Sequence, residues 1–498
     1  MSNKSSQNDE LFSKHFIGER MKPRFFASRV LLPGLFVLII SVLVVSCGDF
    51  KKSSVVAPPS NGSVDFSVYV SIGNSLTSGY QEGALYESAQ EYSYPADIAR
   101  EAGVYASFKQ PLMPNPGTGA MMSITSLSGP TISTASPTQT SPTDASSLLR
   151  PYNNLGVPGA VLYDMIDTTN FLQKSIARSN PFFAMILRNS AFGNSVVAQA
   201  LNLHPTFVSV WIGANDVLGY AASGGTVGTL GPGSGPTDPN QWGLMFAGMM
   251  NALLTGAPNA KFVVGNLPNV TAIPFFTTIP AVVVNPATRQ PILINGQPIP
   301  LIVQKHDASG NLIVAQANPQ TDLICLTALD SMEAGVGIPA SIPGGTGRPL
   351  PDQYVLDSYE IAKVENAISG YNSAIAAVAA ANPSRVAVFN ANTALDAFAK
   401  DGYVAQGVDL SASYITGGFF GLDGVHPTSQ GYAYIANLFI QTINQKFGSN
   451  IPMVAISSVP SSIPLAGLTQ AQKARLWQHV SYSDLKPMLQ LIQRTDLR

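Results

Sequence analysis

Charged side chains are scarce in this sequence, and their charges nearly cancel. They make up 11% of the 498 residues, and the formal net charge is −2. A chain without excess positive charge lacks the electrostatic footprint of a nucleic-acid-binding protein. Hydrophobic residues make up 45%, so we expect a folded protein, with many loops at its 43 glycines and 37 prolines.

Cysteine is almost absent as well. The two cysteines are Cys47 and Cys325, and a lipid on Cys47 would leave no pair for a disulfide within the chain. Cys325 lies in an apolar run, so we expect it to be a small buried side chain. The sequence shows neither a metal-ligand cluster nor a phosphate-binding loop, so we expect no metal and no cofactor.

The N-terminal region has the pattern of an export signal. Four basic residues, Arg20, Lys22, Arg24 and Arg29, precede an apolar run at 30–45. The run ends in Val-Val-Ser-Cys, which resembles a bacterial lipobox. We therefore expect residues 1–47 to be a lipoprotein signal peptide and Cys47 to carry the lipid. The alternative is a transmembrane anchor, for which the apolar run is short.

The same pattern predicts where the protein is found. We expect an exported lipoprotein of the bacterial cell envelope, held at the outer membrane by its lipid. Met21 is an alternative start, because residues 1–20 are polar. Residues 48–65 contain Pro58-Pro59 and several serines, so we expect a flexible tether.

Short apolar runs alternate with helical patterns in the rest of the chain, which predicts a parallel α/β sheet. Loops are expected at 117–148 and 223–241, which are rich in glycine, proline and small polar residues. The predicted strands lie at 68–70, 206–212, 260–266 and 385–389, and the predicted helices begin at Tyr94 and span 357–381 and 429–447.

Ser75 follows the first predicted strand and lies between Gly73 and Gly79. Glycines on both sides permit a sharp turn that leaves a serine hydroxyl accessible, as a nucleophile requires. An ordinary turn is the alternative. Near the other end of the chain, Asp423 and His426 share one loop, where the carboxylate could orient the imidazole for proton transfer.

Two further stretches lie between these points, Asn153–Ala160 and Gly213–Asp216. Each follows an apolar run and contains glycine. Asn215 offers a neutral amide donor at a strand end, although a turn or a helix cap is its ordinary role.

Taken together, the stretches around Ser75, Gly159, Asn215 and His426 resemble the four sequence blocks of the SGNH (GDSL-type) hydrolase family. The resemblance implies a flavodoxin-like three-layer α/β/α sandwich at about 66–456, with a central parallel sheet and a β-rich insertion at about 277–351. It implies a catalytic triad of Ser75, His426 and Asp423, and an oxyanion hole formed by Ser75, Gly159 and Asn215. The family often has Asp where this chain has Asn74, and an amide could also brace this loop.

The implied activity is serine ester hydrolysis on a small-molecule or lipid ester, with the membrane as a partner through the lipid anchor. Two alternatives remain open: a carbohydrate O-deacetylase, and a non-catalytic surface lipoprotein that binds glycans or lipids. The oligomeric state stays open.

We expect residues 457–498 to form a helical tail. We also expect the insertion to present an apolar wall to acyl chains, from Phe275, Phe276, Val282, Val283, Val284, Ile299, Leu301, Ile302 and Val303.

Overall fold

The computed structural model describes residues 59–124, 132–228, 231–232, 235–285, 290–461 and 480–493. The predicted signal peptide, with Cys47, and the first part of the predicted tether lie outside the described residues. Within the described residues, no helix is both long enough and apolar enough to cross a lipid bilayer.

A sheet of five parallel strands forms the centre of the protein. Its strands are β1 (Tyr69–Gly73), β2 (Asn154–Gly156), β3 (Phe207–Trp211), β4 (Lys261–Gly265) and β5 (Val386–Phe389). Their order across the sheet is β2–β1–β3–β4–β5. This is the flavodoxin-like order, in which ligands bind outside the carboxyl ends of the strands, where the winding reverses beside β1.

Helices cover both faces of the sheet. Along β1, Val70 and Ile72 join one apolar cluster and Tyr69 joins the other, because successive side chains of a strand point to opposite faces. The first cluster includes helices Val196–Asn202, Pro239–Gly256 and Ser358–Ala381, and the second includes Tyr94–Glu101, Ala391–Asp401 and Ser429–Phe447. The predicted α/β/α sandwich is confirmed.

The remaining described elements are short, except near the C-terminus. The other α-helices are Ser75–Ser78, Glu87–Gln90, Leu162–Ile166, Phe171–Ala177, Phe182–Leu187, Asn215–Ala221, Pro274–Thr277, Leu329–Glu333 and Tyr482–Ile492. Outside the insertion, two-stranded ladders pair Ala84–Leu85 with Thr118–Gly119, Met122–Ile124 with Ile132–Thr134, Val227–Gly228 with Gly231–Pro232, and Tyr403–Ala405 with Val408–Leu410.

The helix at Ser429–Phe447 has the predicted bounds, and local chemistry explains both ends. The Thr428 side chain accepts a hydrogen bond from the Gly431 N–H at the first turn. The helix stops at Gly448, whose φ of +66° suits a glycine cap. Its predicted apolar face, Tyr432, Ile435, Phe439, Ile440 and Ile443, is buried.

Helix Pro239–Gly256 begins inside the stretch 223–241, for which the sequence analysis predicted only a loop. The Asp238 side chain accepts hydrogen bonds from the N–H groups of Asn240 and Gln241, and a proline follows the cap. Proline at the first helical position needs no N–H partner, so here it starts a helix instead of marking a loop.

The insertion is rich in β structure, as predicted. Its ladders pair Leu293–Ile294 with Gln297–Pro298, Ile302–His306 with Leu312–Gln316, and Leu323–Ile324 with Val355–Leu356 just beyond it. The prediction of an acyl-facing wall is contradicted for six of its nine side chains, which are buried against other protein atoms: Phe275, Phe276, Val282, Val283, Leu301 and Val303. These six side chains build a core and present no surface to a substrate.

Both ends of the described chain pack onto the domain. Ser60 and Asn450 exchange backbone hydrogen bonds, and Val64 is buried. The predicted tether therefore ends earlier than residue 65. At the other end, helix Tyr482–Ile492 buries Leu485, among other apolar side chains, in the first apolar cluster.

Candidate active site

Ser75 lies immediately after β1, at the start of the four-residue helix Ser75–Ser78. The Asn74 side-chain oxygen accepts a hydrogen bond from the Leu76 N–H at 3.0 Å. The amide therefore braces this turn, as the Asp that the family often has at this position would. Position 73 requires glycine, because a Cβ there would lie 2.0 Å from Thr77 Oγ1. Ser75 is 5% exposed.

Asp423 and His426 meet Ser75 through hydrogen bonds. His426 Nε2 lies 2.9 Å from Ser75 Oγ, and His426 Nδ1 lies 2.9 Å from Asp423 Oδ2. The histidine is 3% exposed and the aspartate is fully buried. This chain of contacts can pass a proton from the hydroxyl to the imidazole while the carboxylate stabilises the imidazolium.

The loop around Asp423 keeps this carboxylate charged. Burial raises the pKa of Asp423, but the nearby His426 ring and its hydrogen bonds outweigh burial, so the pKa is lowered overall. Asp423 Oδ1 accepts hydrogen bonds from the N–H groups of His426 at 2.8 Å and Val425 at 3.0 Å. A buried carboxylate with this many donors can remain an anion at neutral pH.

Glu82 is a neighbour that the sequence analysis missed. It is 3% exposed, and its Oε2 accepts a hydrogen bond from the Leu422 N–H. Burial, and then the Asp423 charge, raise the pKa of Glu82 to about 8. The sequence carries no signal for this, because an acid in a glycine-rich turn is usually solvated.

The predicted oxyanion donors lie just beyond the carboxyl ends of neighbouring strands. Asn215 begins helix Asn215–Ala221 after β3, and its Nδ2 donates one hydrogen bond to the Ala160 carbonyl at 2.9 Å. An amide nitrogen carries two hydrogens, so one more is available. Among the described residues, the backbone N–H groups of Ser75 and Gly159 have no acceptor. The Val157 N–H donates to the Gly73 carbonyl at 3.0 Å, which fixes the Gly159 loop beside the end of β1.

The C-terminal helix, Tyr482–Ile492, covers one side of this arrangement. A Cβ on Gly159 would lie 2.4 Å from the Leu491 carbonyl oxygen, and a Cβ on Gly219 would lie 2.4 Å from that of Ile492. The φ of Gly159 is +75°, a second reason for glycine there. The predicted helical tail therefore contacts the loop that carries a predicted oxyanion donor.

An apolar pocket is lined by chain neighbours of the triad, although the triad residues themselves do not line it. Its lining includes Leu76 and Val425, which directly follow Ser75 and precede His426 in the chain, together with Trp211, Ile273 and Phe420. Pockets of this composition accept apolar groups.

No metal or cofactor was expected here. Among the described residues, the side chains grouped closely enough to hold a metal ion are His306, Asp352, Asp357 and Glu360. None of them belongs to the arrangement around Ser75.

The fold and these contacts together define a class of protein. A buried serine–histidine–aspartate arrangement beside the carboxyl ends of a doubly wound sheet is typical of serine hydrolases. The family model described as GDSL-like Lipase/Acylhydrolase matches residues 69–439. The match covers most of the chain, so the protein belongs to this family and is a GDSL-type hydrolase that acts on esters.

This match confirms the family predicted from the four sequence blocks. No curated protein and no solved structure matches the chain significantly. The roles of individual residues therefore depend on the geometry described above.

Proposed function

We propose that the protein is a serine ester hydrolase in which Ser75 is the nucleophile, His426 the general base and Asp423 its partner. The observation that carries this proposal is the pair of 2.9 Å contacts that join the three side chains through the two ring nitrogens. The contact to Asp423 orients the ring and stabilises the imidazolium, and the other nitrogen receives the serine proton.

The reaction proceeds through a covalent acyl-enzyme. Ser75 Oγ bonds to the ester carbonyl carbon while its proton moves to His426 Nε2. The carbon–oxygen bond to the alcohol then breaks, and His426 gives that proton to the leaving alcohol. Water next loses a proton to His426 and attacks the acyl carbon. The bond from that carbon to Ser75 Oγ then breaks, and His426 returns the proton to Ser75 Oγ, which releases the acid and restores the hydroxyl.

The negative carbonyl oxygen of each tetrahedral intermediate needs fixed donors. We assign this role to the N–H groups of Ser75 and Gly159 and to the second amide hydrogen of Asn215. The Ala160 carbonyl holds the Asn215 amide in place. Donors that are already oriented stabilise the oxyanion without reorganising, and this is usually the largest catalytic contribution.

The apolar pocket beside Leu76 and Val425 supports an ester with an apolar acyl group over an acetylated sugar. Each methylene buried there would contribute about 0.8 kcal/mol. A panel of alkanoyl esters and acetylated sugars distinguishes the two substrate classes. Faster turnover of acetylated sugars would favour the O-deacetylase.

Ser75→Ala tests the mechanism. We expect it to abolish ester hydrolysis and labelling by a fluorophosphonate, because the attacking oxygen is lost. Ser88→Ala, which removes an exposed serine nearby, is the matched control and should be labelled normally. Hydrolysis or labelling by a folded Ser75→Ala protein would contradict the mechanism and favour the non-catalytic binding protein.

We also propose that the protein is an exported envelope lipoprotein, held at the outer membrane through a lipid on Cys47. The basic residues, the apolar run and the Val-Val-Ser-Cys ending support this. Cys47→Ala should abolish lipidation, as measured by mass spectrometry of the mature chain. Cys325→Ala, at a buried cysteine, is the control that keeps the lipid. An unmodified mature chain that starts elsewhere would contradict this proposal.

A further inference from the structure

A second group of titratable side chains lies where the insertion meets helix Ser358–Ala381. It consists of His306, Asp352, Asp357 and Glu360, here named the His306 cluster. One ligand atom from each residue lies within 4.8 Å of the others. Side chains from the insertion and from the start of the helix thus converge on one point.

The spacing within the His306 cluster fits a single small ion. His306 Nδ1 lies 3.1 Å from Asp357 Oδ2 and 3.5 Å from Glu360 Oε1. The same nitrogen lies 4.0 Å from Asp352 Oδ1. Zn²⁺ bonds of about 2.0–2.1 Å place the corners of a tetrahedron roughly 3.3 Å apart. Small side-chain movements therefore bring all four atoms into contact with one ion.

Two of these oxygens are buried without a hydrogen-bond partner. They are Glu360 Oε1 and Asp352 Oδ1, and Glu360 as a whole is 1% exposed. A buried polar atom without a partner carries a large desolvation cost. Both atoms belong to the group of four that lie within 4.8 Å of one another, so a cation bound among them would give each a partner. This is the observation that indicates a ligand.

Helix capping uses the other carboxylate oxygens. Asp357 Oδ1 accepts hydrogen bonds from the N–H groups of Tyr359 and Glu360, and Glu360 Oε2 accepts one from the Asp357 N–H at 3.0 Å. The capping box thus explains one oxygen of each acid and leaves Glu360 Oε1 unexplained. Gly225 lies against this oxygen, since a Cβ there would be 1.9 Å from it.

The charge around the His306 cluster is unbalanced. Three carboxylates surround one imidazole, and no lysine or arginine among the described residues forms an ion pair with any of them. The nearby Lys363 places its Nζ 4.4 Å from the centroid of the Tyr359 ring instead. A divalent cation would neutralise the excess negative charge.

We propose that the His306 cluster binds one divalent transition-metal ion of the Zn²⁺ type, through His306 Nδ1 and one oxygen each from Asp352, Asp357 and Glu360. An imidazole among carboxylates favours such an ion over Ca²⁺, which takes six to eight oxygen ligands. The ion would fasten the insertion to helix Ser358–Ala381. Its role is structural and does not depend on the proposed esterase mechanism.

The test uses the full-length protein in detergent, stripped with a chelator and then titrated with ZnCl₂. We expect one Zn²⁺ per chain by elemental analysis, and a melting temperature that rises by a few degrees. His306→Gln and Asp352→Asn each remove one ligand and should weaken binding by roughly 100-fold. Glu365→Gln removes an exposed acid from the same helix and is the matched control that keeps the binding.

The difference in melting temperature between Asp352→Asn and the wild type distinguishes a metal site from a network of ion pairs, because a metal site reverses its sign when Zn²⁺ is added. In chelator, Asp352→Asn should melt at or above the wild-type temperature, because it removes a carboxylate that is repelled by the Asp357 charge. With Zn²⁺ present, the wild type should melt higher. The proposal is overturned if the difference in melting temperature is the same in both conditions, if Zn²⁺ does not bind, or if Ca²⁺ binds more tightly than Zn²⁺.

Discussion

Two histidines of this protein each lie beside carboxylates, and their surroundings are opposite. His426 contacts one carboxylate, Asp423, which accepts backbone hydrogen bonds and has a lowered pKa. His306 contacts three, and burial together with the Asp357 charge raises the pKa of Glu360 to about 9. The number of donors per carboxylate thus decides whether a buried acid is a stable anion or needs a cation.

The free side of each ring differs as well. The second nitrogen of His426 meets the Ser75 hydroxyl, whereas the His306 ring stacks on Tyr359 with centroids 5.5 Å apart. One histidine has a proton to exchange with a nucleophile, and the other does not. Proximity of histidine and carboxylate is therefore not enough to indicate catalysis.

The sharpest way to separate the two histidines is to remove each ring in turn. His426→Gln should lower kcat by roughly 10⁴-fold or more, because the proposed general base is lost. His306→Gln should lower Zn²⁺ binding and the melting temperature, with a far smaller loss of turnover. Ester hydrolysis and thermal unfolding are measured on both variants. Equal losses of turnover would remove the distinction.

Asn215→Ala should have the next largest effect. Loss of one oxyanion donor lowers kcat by roughly 10²–10³, with KM changing less. If Asn215 only capped its helix, unfolding would lose about 1 kcal/mol and turnover would be nearly normal. Asn215→Asp keeps the shape but places a negative charge near the oxyanion, so it should be at least as inactive as Asn215→Ala.

The smallest expected effect concerns Glu82, the buried acid near Asp423. Its folded pKa of about 8 lies above the ordinary 4.5, so the unfolded chain loses this proton at lower pH. Its contribution to stability is complete below about pH 4.5 and is lost as the pH rises through about 8. Glu82→Gln should remove this decline, which is about 3–4 kcal/mol, in urea unfolding compared at pH 5 and pH 8.

For Asp423 we expect stability to change with pH in the opposite direction. Its lowered pKa contributes stability that is lost as the pH falls below the ordinary range of an aspartate. A Glu82→Gln protein that follows the wild type across pH 5–8 would show that Glu82 titrates normally.

Several features of the fold could be predicted because they depend on neighbours in sequence. The strand predicted at 206–212 is apolar nearly throughout, as expected for a strand covered on both faces, and it forms β3. The Asn295-Gly296 turn has φ of +52° and +78°, and only a few residue types adopt such angles. Helix Pro239–Gly256 was missed because proline and glycine, which lie near its start, are common in loops as well as at the ends of helices.

The prediction of an acyl-facing wall was wrong for its six buried side chains, and the reason differs from the one for the missed helix. Apolar residues in the insertion fit either a core or a surface that contacts substrate, and composition cannot distinguish them. Burial of Leu301 and Val303 depends on which segments fold over them, and this is a property of the whole chain.

The sequence alone determined the family, the sheet and the residues that come together around Ser75, because strand ends in a parallel sheet place their loops at one edge. Asp423 and His426 share one short loop, so their pairing was visible locally. Only the tertiary structure decided that Glu82 is buried near Asp423 and that the C-terminal helix covers Gly159. It also decided that His306 meets Asp352, Asp357 and Glu360, although the sequence predicted no metal site. Desolvation and charge pairing at these places depend on segments distant in sequence, and no local pattern records them.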